Sequence, residues 1–222
     1  MNKSFYNFTY SKNPHFKKIE FIGRIIKTVK LVGKNKNVLD VGCGYGHITE
    51  LIKKQGNKVK CIETSDNAIK HIKKLGIEVF DIDLSTKWEE NIKEKFDVVV
   101  CTEVIEHVFD TDNLINNINK VLKKGGHLVI STPNVASFGR RFMLLFGINP
   151  ILEYTTRKED AGHIRYFTFS DLEKLLKEHG FETIERHSDY INFSGDGKFA
   201  SLFLANLFPK FGRSIILKAK KK

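Results

Sequence analysis

An α/β fold, built on a doubly wound and mostly parallel sheet with helices on both faces, is what this 222-residue sequence predicts. Three observations predict it. Short Val- and Ile-rich runs alternate with longer segments of helical periodicity, the pattern of strand–helix–strand units. Two of those runs, FDVVVCT (96–102) and GHLVIST (126–132), are nearly all apolar, as strands buried on both faces must be. The first run is followed at once by three glycines at alternate positions, Gly42, Gly44 and Gly46.

The elements follow in order. NVLDVG (37–42), KVKCIE (58–63) and IEVFDI (77–82) read as the first three strands, and 96–102 and 126–132 as the next two. NLINNINKVLKK (113–124) repeats Leu114, Ile118, Val121 and Leu122 at helical spacing and stops at Gly125–Gly126. SDLEKLLKEHG reads as a capping-box helix, with Ser170 as N-cap, Glu173 at N3 and Gly180 at its end. The alternation then breaks. FETIERHSDYIN (181–192) and RSIILKAK (213–220) are two late strand candidates, with a short helical stretch, KFASLFLANLF, between them. No internal repeat or interdomain linker shows. A single domain over 1–222 is expected, with an N-terminal helical cap over about 1–35 and an insertion or lid over about 135–165, laid across the strand ends.

Composition narrows the class. The 41% hydrophobic and 28% charged content is that of a soluble globular protein. MNKSFYNFTYSKNPHF lacks the apolar stretch of a signal peptide, and no run is long enough to span a membrane. Cys43, Cys61 and Cys101 are widely spaced and odd in number, which suits free thiols and a cytoplasmic location. Net charge is +11, but 30 of the 37 basic residues are lysines scattered along helices, a solvated surface rather than a specific nucleic-acid site.

The glycine loop carries the chemistry. At the carboxyl end of a parallel strand, glycines let the chain turn tightly and a ligand approach the backbone. A dinucleotide loop would be GxGxxG with a small residue where this chain has His47, and Asp40 would repel a pyrophosphate. A carboxylate there attracts an ammonium group instead. Glu63 ends the second strand 21 residues after Gly42, where an acid can accept from ribose hydroxyls. The loop therefore suits a cationic nucleoside.

At these residues the chain resembles the class I S-adenosylmethionine-dependent methyltransferases. VLDVGCGYG resembles the family's glycine motif, KVKCIETSDNAI its ribose strand, and FDVVVCTEVIEHV and LKKGGHLVISTPN its fourth- and fifth-strand motifs. GHIRYFTFSDLEKLLKEHGFE resembles a stretch found in the branch of quinone-biosynthesis and sugar or lipid methyltransferases. The likeness covers roughly residues 20–190. It implies a Rossmann-like seven-stranded sheet ending in an antiparallel hairpin, and S-adenosylmethionine as cofactor, leaving S-adenosylhomocysteine. It also implies roles: Asp40 for the methionine amino group, the loop Gly42, Cys43, Gly44, Tyr45 and Gly46 along the methionine and ribose, and Glu63 for the ribose hydroxyls. Thr64 and Ser65 would lie beside the adenine, and Asp81 or Asp83 would meet its N6, with Asp81 preferred and Ile82 next to it. Thr102 and Glu103 would end the fourth strand under the reactive methyl.

An oxygen acceptor must lose a proton near neutrality, and histidine is the natural base. His107 and His163 are the two candidates for the mouth of the site. Glu103, Glu106 and His107, spaced E-x-x-E-H, could also gather with His163 around Mg²⁺, Mn²⁺ or Zn²⁺. The reading adopted assigns no metal and leaves His107 as base. RRFMLLFGINPILEY and KFASLFLANLF carry apolar surface beyond the expected core. A lid packed on the sheet edge is the simplest account. A pocket for a greasy acceptor, or a peripheral membrane contact helped by nearby lysines of the C-terminal region, is the sharper one. The expected acceptor is a small molecule, a quinone-, lipid- or sugar-type oxygen. The alternatives are an RNA methyltransferase, which should add an aromatic and arginine-rich surface, and a non-catalytic cofactor-binding subunit, which should have a damaged loop.

Overall fold

The computed structural model describes residues 19–151, 162–193 and 199–222. Residues 1–18 of the expected cap, 152–161 of the expected insertion, and 194–198 lie outside them. Helix α1 (Ile19–Val32) leads into β1 (Asn37–Val41), α2 (His47–Lys54), β2 (Lys58–Glu63), α3 (Asp66–Lys74) and β3 (Glu78–Asp81). Then come β4 (Phe96–Thr102), α4 (Thr111–Val121), β5 (Leu122–Pro133) and α5 (Phe138–Leu145). The chain continues through α6 (Phe169–Glu178), β6 (Phe181–His187), β7 (Ile191–Asn192), β8 (Ala200–Ser201), α7 (Leu202–Leu207) and β9 (Ser214–Lys221).

Seven strands form one sheet in the order β3-β2-β1-β4-β5-β9-β6. All neighbours are parallel until β9, which runs antiparallel to both β5 and β6. The expected antiparallel pair at the C-terminus is therefore present. Side chains alternate between two layers as strand geometry requires. Leu39, Val41, Val99 and Cys101 enter one apolar cluster with Trp88, Leu114 and Leu172, while Val38, Val98 and Val100 enter the other with Val29, Val32 and Ile52. Strand order reverses between β1 and β4, which opens a crevice at their carboxyl ends, where such sheets bind ligands.

Several boundaries differ from expectation for local reasons. The fourth helix stops at Val121 and Leu122 is already extended, paired with Phe96. Lys221 Nζ from β9 takes the carbonyls of Asn119 (2.6 Å) and Leu122 (3.0 Å), and Lys123 reaches out to Asp97 (2.7 Å). A basic side chain that satisfies terminal carbonyls stabilises a helix end. The run 181–192 is not one strand. It breaks where Asp189 turns inward, buried, and accepts from the Tyr190 amide (2.8 Å), the Ser214 amide (3.0 Å) and Ser214 Oγ (2.9 Å).

The capping box also sits two residues earlier than the Ser170–Glu173 reading. Thr168 is the N-cap and accepts from the Asp171 amide, while Asp171 accepts from the Thr168 amide at 3.0 Å. Glu173 pairs instead with Arg186 across to β6, at 2.6 and 3.0 Å. TFSD and SDLE are overlapping box sequences. Phe169, buried at 3%, settles the frame, because the helix must begin where that ring faces the core.

Helix α5 buries none of its eight residues, and Leu145 is 75% and Phe203 69% exposed. No helix among the described residues is long and apolar enough to cross a membrane.

The cap assignment is checked by paired substitutions. Thr168→Ala should lower unfolding stability by about 1 kcal/mol in urea titrations. Ser170→Ala should change it by less than about 0.5 kcal/mol. The opposite ranking would return the cap to Ser170.

Candidate cofactor and acceptor site

The site is built on the carboxyl ends of β1, β2 and β4. Asp40 sits in β1 opposite Cys61 of β2 and Val100 of β4, 2% exposed. Thr49 Oγ1, from the first turn of α2, donates to it at 2.6 Å. Burial pushes its carboxyl up to about 6; the Thr49 bond pulls the other way, and the Glu63 charge adds to the rise. A buried carboxylate with so little compensation is a place prepared for a cation.

The chain then makes the glycine turn. Gly42 donates to Ile62 O at 2.9 Å and Gly46 to Cys43 O at 2.9 Å. Gly42 (φ 71) and Gly46 (φ 77) are both left-handed. A β-carbon on Gly42 would lie 2.6 Å from Val104 Cγ2, and one on Gly46 2.3 Å from Ile72 Cδ1. The left-handed turn requires both glycines, and at Gly42 the branched Val104 side chain leaves no room for a β-carbon either. Gly46 is the N-cap of α2 and supplies no side-chain cap to the first amides of that helix.

Glu63 closes the loop onto β2. Its Oε2 accepts from the Gly44 amide at 2.8 Å, and its Oε1 accepts from the Thr64 and Ser65 amides, also at 2.8 Å. Three N–H bonds occupy three of roughly four lone-pair sites and leave one on Oε2. Tyr45 stands edge-on to His71, ring centres 5.5 Å apart. Asp81 pairs in register with Glu63, so both acids end their strands level with each other. Phe80, Asp81, Ile82, Asp83, Thr86 and Asn91 line one pocket beside them. Within it Asp83 holds the Ser85 amide and hydroxyl, each at 2.9 Å.

Across the crevice, Thr102 ends β4 and pairs with Ser131 of β5. Glu103 follows with φ 55, a left-handed position rare for a residue with a side chain. Its amide donates to Ser131 O at 2.9 Å, and its carboxylate accepts from Ser131 Oγ (2.9 Å) and Arg24 Nη1 (2.7 Å). The N-terminal helix therefore contributes a guanidinium to this edge, a contact spanning 79 residues.

Beyond Glu103, a short 3₁₀ turn (Ile105–His107) aims Glu106 inward, at 1% exposure. Thr132 Oγ1 donates to its Oε2 at 3.0 Å. Burial first, and the nearby Glu103 charge second, push its carboxyl well above the usual range. The Glu106 carbonyl accepts from the Ile164 and Arg165 amides at 2.9 and 3.1 Å. That clasp holds the loop bearing His163 against His107, ring centres 4.8 Å apart. His107 Nδ1 lies 3.2 Å from Gly162 O. A carbonyl only accepts, so Nδ1 carries the proton and Nε2 keeps a lone pair. His163 Nε2 is 4.0 Å from Glu106 Oε1. Burial, followed by the Arg140 charge, holds the His163 ring below its ordinary value, so it is neutral near pH 7.

Of the four residues read as a metal cluster, three converge. Glu106, His107 and His163 each offer a ligand atom, and these atoms all lie within 4.8 Å of one another. Glu103 is not in the group; Arg24 and Ser131 hold its carboxylate. Reading E-x-x-E-H as one face fails because the left-handed Glu103 turns its side chain away from the 3₁₀ turn that follows. Thr132 holds the Glu106 carboxylate inside the fold. Sequence reasoning missed Arg24, Thr49 and Thr132 as supports. Only Thr132, in the STPN end of β5, lay in a motif already singled out.

A methyltransferase-domain family profile matches residues 16–186. The ubiquinone biosynthesis O-methyltransferase of Coxiella burnetii (strain Dugway 5J108-111) is 35% identical over 109 residues, 46% of this chain and 45% of that one. The Hydrogenovibrio crunogenus protein of the same name is 26% identical over 157 residues, 66% and 62% of the two chains. This chain thus spans about half the length of the curated relatives it matches. In three dimensions it resembles a SAM-dependent methyltransferase from Thermotoga maritima, with a TM-score of 0.71 at 17% identity and all of both chains covered. It also resembles the N-methyltransferase NodS of Bradyrhizobium japonicum bound to S-adenosyl-L-homocysteine, with a TM-score of 0.65 at 18% identity over 100% of this chain and 99% of that one. The match over three quarters of the sequence agrees with the strand order and the glycine turn: this chain belongs to the methyltransferase-domain family and has the class I methyltransferase fold.

Proposed function

We propose that this chain moves a methyl group from S-adenosylmethionine to an oxygen of a small quinone-, lipid- or sugar-type acceptor. One observation carries the cofactor half: the buried, undercompensated Asp40 and the loop-tied Glu63 flank a left-handed glycine turn at the switch point of the sheet. Asp40 holds the amino group of the cofactor. Gly42, Cys43, Gly44, Tyr45 and Gly46 line its chain and ribose, and the remaining Oε2 lone pair of Glu63 takes a ribose hydroxyl. Thr64, Ser65, Asp81 and Ile82 border the adenine. Asp81 is preferred to Asp83 because it ends β3 level with Glu63. Thr102 and Glu103 form the floor.

The bound cofactor supplies an activated methyl on a sulfonium. The protein supplies position and a proton acceptor. His107, with Nδ1–H held by Gly162 O, presents its Nε2 lone pair to the acceptor hydroxyl. The neutral His163 ring stands beside it as a second acceptor of that proton. The quinone-type acceptor draws support from the names of the Coxiella and Hydrogenovibrio relatives.

The convergence of Glu106, His107 and His163 favours one second reading, a divalent ion held by one carboxylate and two imidazoles. Bonds of about 2.0–2.2 Å would require the three ligand atoms to draw together by roughly 1 Å. Such an ion would orient an acceptor with adjacent hydroxyls and lower its pKa. Methyl transfer by purified protein is expected to survive EDTA. Loss of activity in EDTA with recovery on added Mg²⁺ or Zn²⁺ would replace the histidine base by the ion.

Glu63→Ala should weaken S-adenosylmethionine binding by about tenfold to a hundredfold in calorimetry. Tight NAD binding with no S-adenosylmethionine heat would end the reading.

Asp40 gives a two-sided expectation. Its folded pKa lies above the unfolded value, so ionisation destabilises the ligand-free fold at neutral pH, on the order of 2–3 kcal/mol. That penalty is absent below the unfolded value and fully present above about pH 6. Asp40→Asn should therefore raise the melting temperature of the ligand-free protein at pH 7.5 and abolish tight cofactor binding. In the wild type, affinity should fall as pH drops below about 6, because the proton competes with the cofactor's ammonium. Affinity constant from pH 7.5 to 5 would remove Asp40 from the role.

A further inference from the structure

The described surface is not evenly apolar. Of the 18 large hydrophobic side chains exposed, 13 fall in two short segments, 138–148 and 193–211. Helix α5 and the turn after it present Phe142, Leu144, Leu145, Phe146 and Ile148, each more than half exposed, and α7 presents Leu202, Phe203 and Leu207 in the same state. The segments meet in space. Phe138 packs against Phe193 at 5.2 Å and Phe211 at 6.4 Å, and Arg141 lies over the Phe211 ring at 4.8 Å. This is one patch, far from the usual scatter of lone exposed side chains on a monomer.

Among the described residues of these segments the charge is one-signed. Residues 134–151 contain Arg140 and Arg141 and no Asp or Glu; residues 199–222 contain Lys210, Arg213 and four further lysines, again with no acid. Exposed Arg141, Lys210 and Arg213 flank the rings. Apolar side chains whose described charged neighbours in these segments are cations are complementary to an anionic bilayer, where the rings enter the headgroup boundary and the cations meet phosphate. The patch also adjoins the site. Helix α5 leaves the end of β5 just past Thr132, the partner of Glu106, and Arg140 is near enough for its charge to depress His163.

We infer that the face formed by α5, α7 and the turns after them docks on anionic phospholipid bilayers, setting the mouth of the His107–His163 site against the lipid. An acceptor dissolved in the bilayer then enters without crossing water. This use of the face rests on the transfer reading above; the docking does not.

Vesicle flotation with the full chain tests it. The wild type should float with phosphatidylglycerol vesicles, weakly with phosphatidylcholine vesicles, and less as salt is raised. Phe142→Ser/Leu145→Ser/Phe203→Ser should reduce flotation at least tenfold, and Arg141→Glu/Lys210→Glu should erase the preference for anionic lipid. Phe109→Ser, 80% exposed but outside the patch, should float as the wild type does. Calorimetry with S-adenosylmethionine runs alongside. Retained cofactor binding shows that a variant is folded, and if the triple variant fails there, the charge-reversal variant decides. Absent cofactor binding in the wild type overturns the transfer reading while leaving flotation to judge the docking. A wild type that floats with neither vesicle, or a folded triple variant that floats normally, overturns the inference. A wild-type dimer made monomeric by the triple substitution, with no flotation, assigns the face to chain–chain contact instead.

Discussion

Three carboxylates buried at one edge of the sheet set the terms for the whole site. Asp40, Glu63 and Glu106 are 2%, 5% and 1% exposed, and each belongs to the carboxyl end of a strand or the turn after it. Removing a carboxylate from water is costly unless hydrogen bonds or a counter-charge replace the water. The fold compensates the three unequally. Glu63 receives three backbone N–H bonds, and in doing so fixes the glycine turn to β2. Asp40 receives the Thr49 hydroxyl and Glu106 the Thr132 hydroxyl. The well-bonded acid acts as a structural clamp. Burial raises the carboxyls of the two poorly bonded ones.

That inequality explains how one loop meets opposed demands. The turn at Gly42–Gly46 needs left-handed backbone and close contact with Val104 and Ile72, which excludes side chains. A loop so bare has little of its own to hold it. The Gly44–Glu63 bond supplies the restraint from the neighbouring strand, and the parallel pairing of β1 with β2 places that acid within reach. Rigid backbone and an unsatisfied charge therefore sit within one turn of each other. A preorganised cofactor site requires both.

Much of this was legible in the sequence because it is local. Apolar runs of strand length, the GxGxG spacing and an acid at the end of the second strand gave the sheet and the candidate cofactor pocket, and β2 and β4 begin and end where the residues suggest. What was not legible depends on distant partners. Nothing near Glu103 announces Arg24, 79 residues away, or the left-handed backbone that turns its side chain from Glu106. The cap of α6 was misplaced because two box sequences overlap and only the burial of Phe169 separates them. The end of α4 depends on Lys221, at the far end of the chain. In each case a short motif was read correctly as a type, and tertiary contact chose its partner.

The N-terminal helix shows how such contacts join the site to the rest of the molecule. Along one side of α1, Arg24 reaches Glu103 beside the acceptor site, and one turn on, Lys27 donates to Ser188 O and Asn206 Oδ1, the latter on α7. Gly23 lies against Leu202, where an added β-carbon would stand 3.4 Å from Cδ2. The Arg24 pair is the better shielded contact, with side chains 11% and 26% exposed, so it is less screened than a surface pair. The contact with α7 and the contact with Glu103 are therefore made by the same helix. Ser131 holds the left-handed Glu103 by its amide and by one carboxylate oxygen, and Arg24 of α1 holds the other carboxylate oxygen.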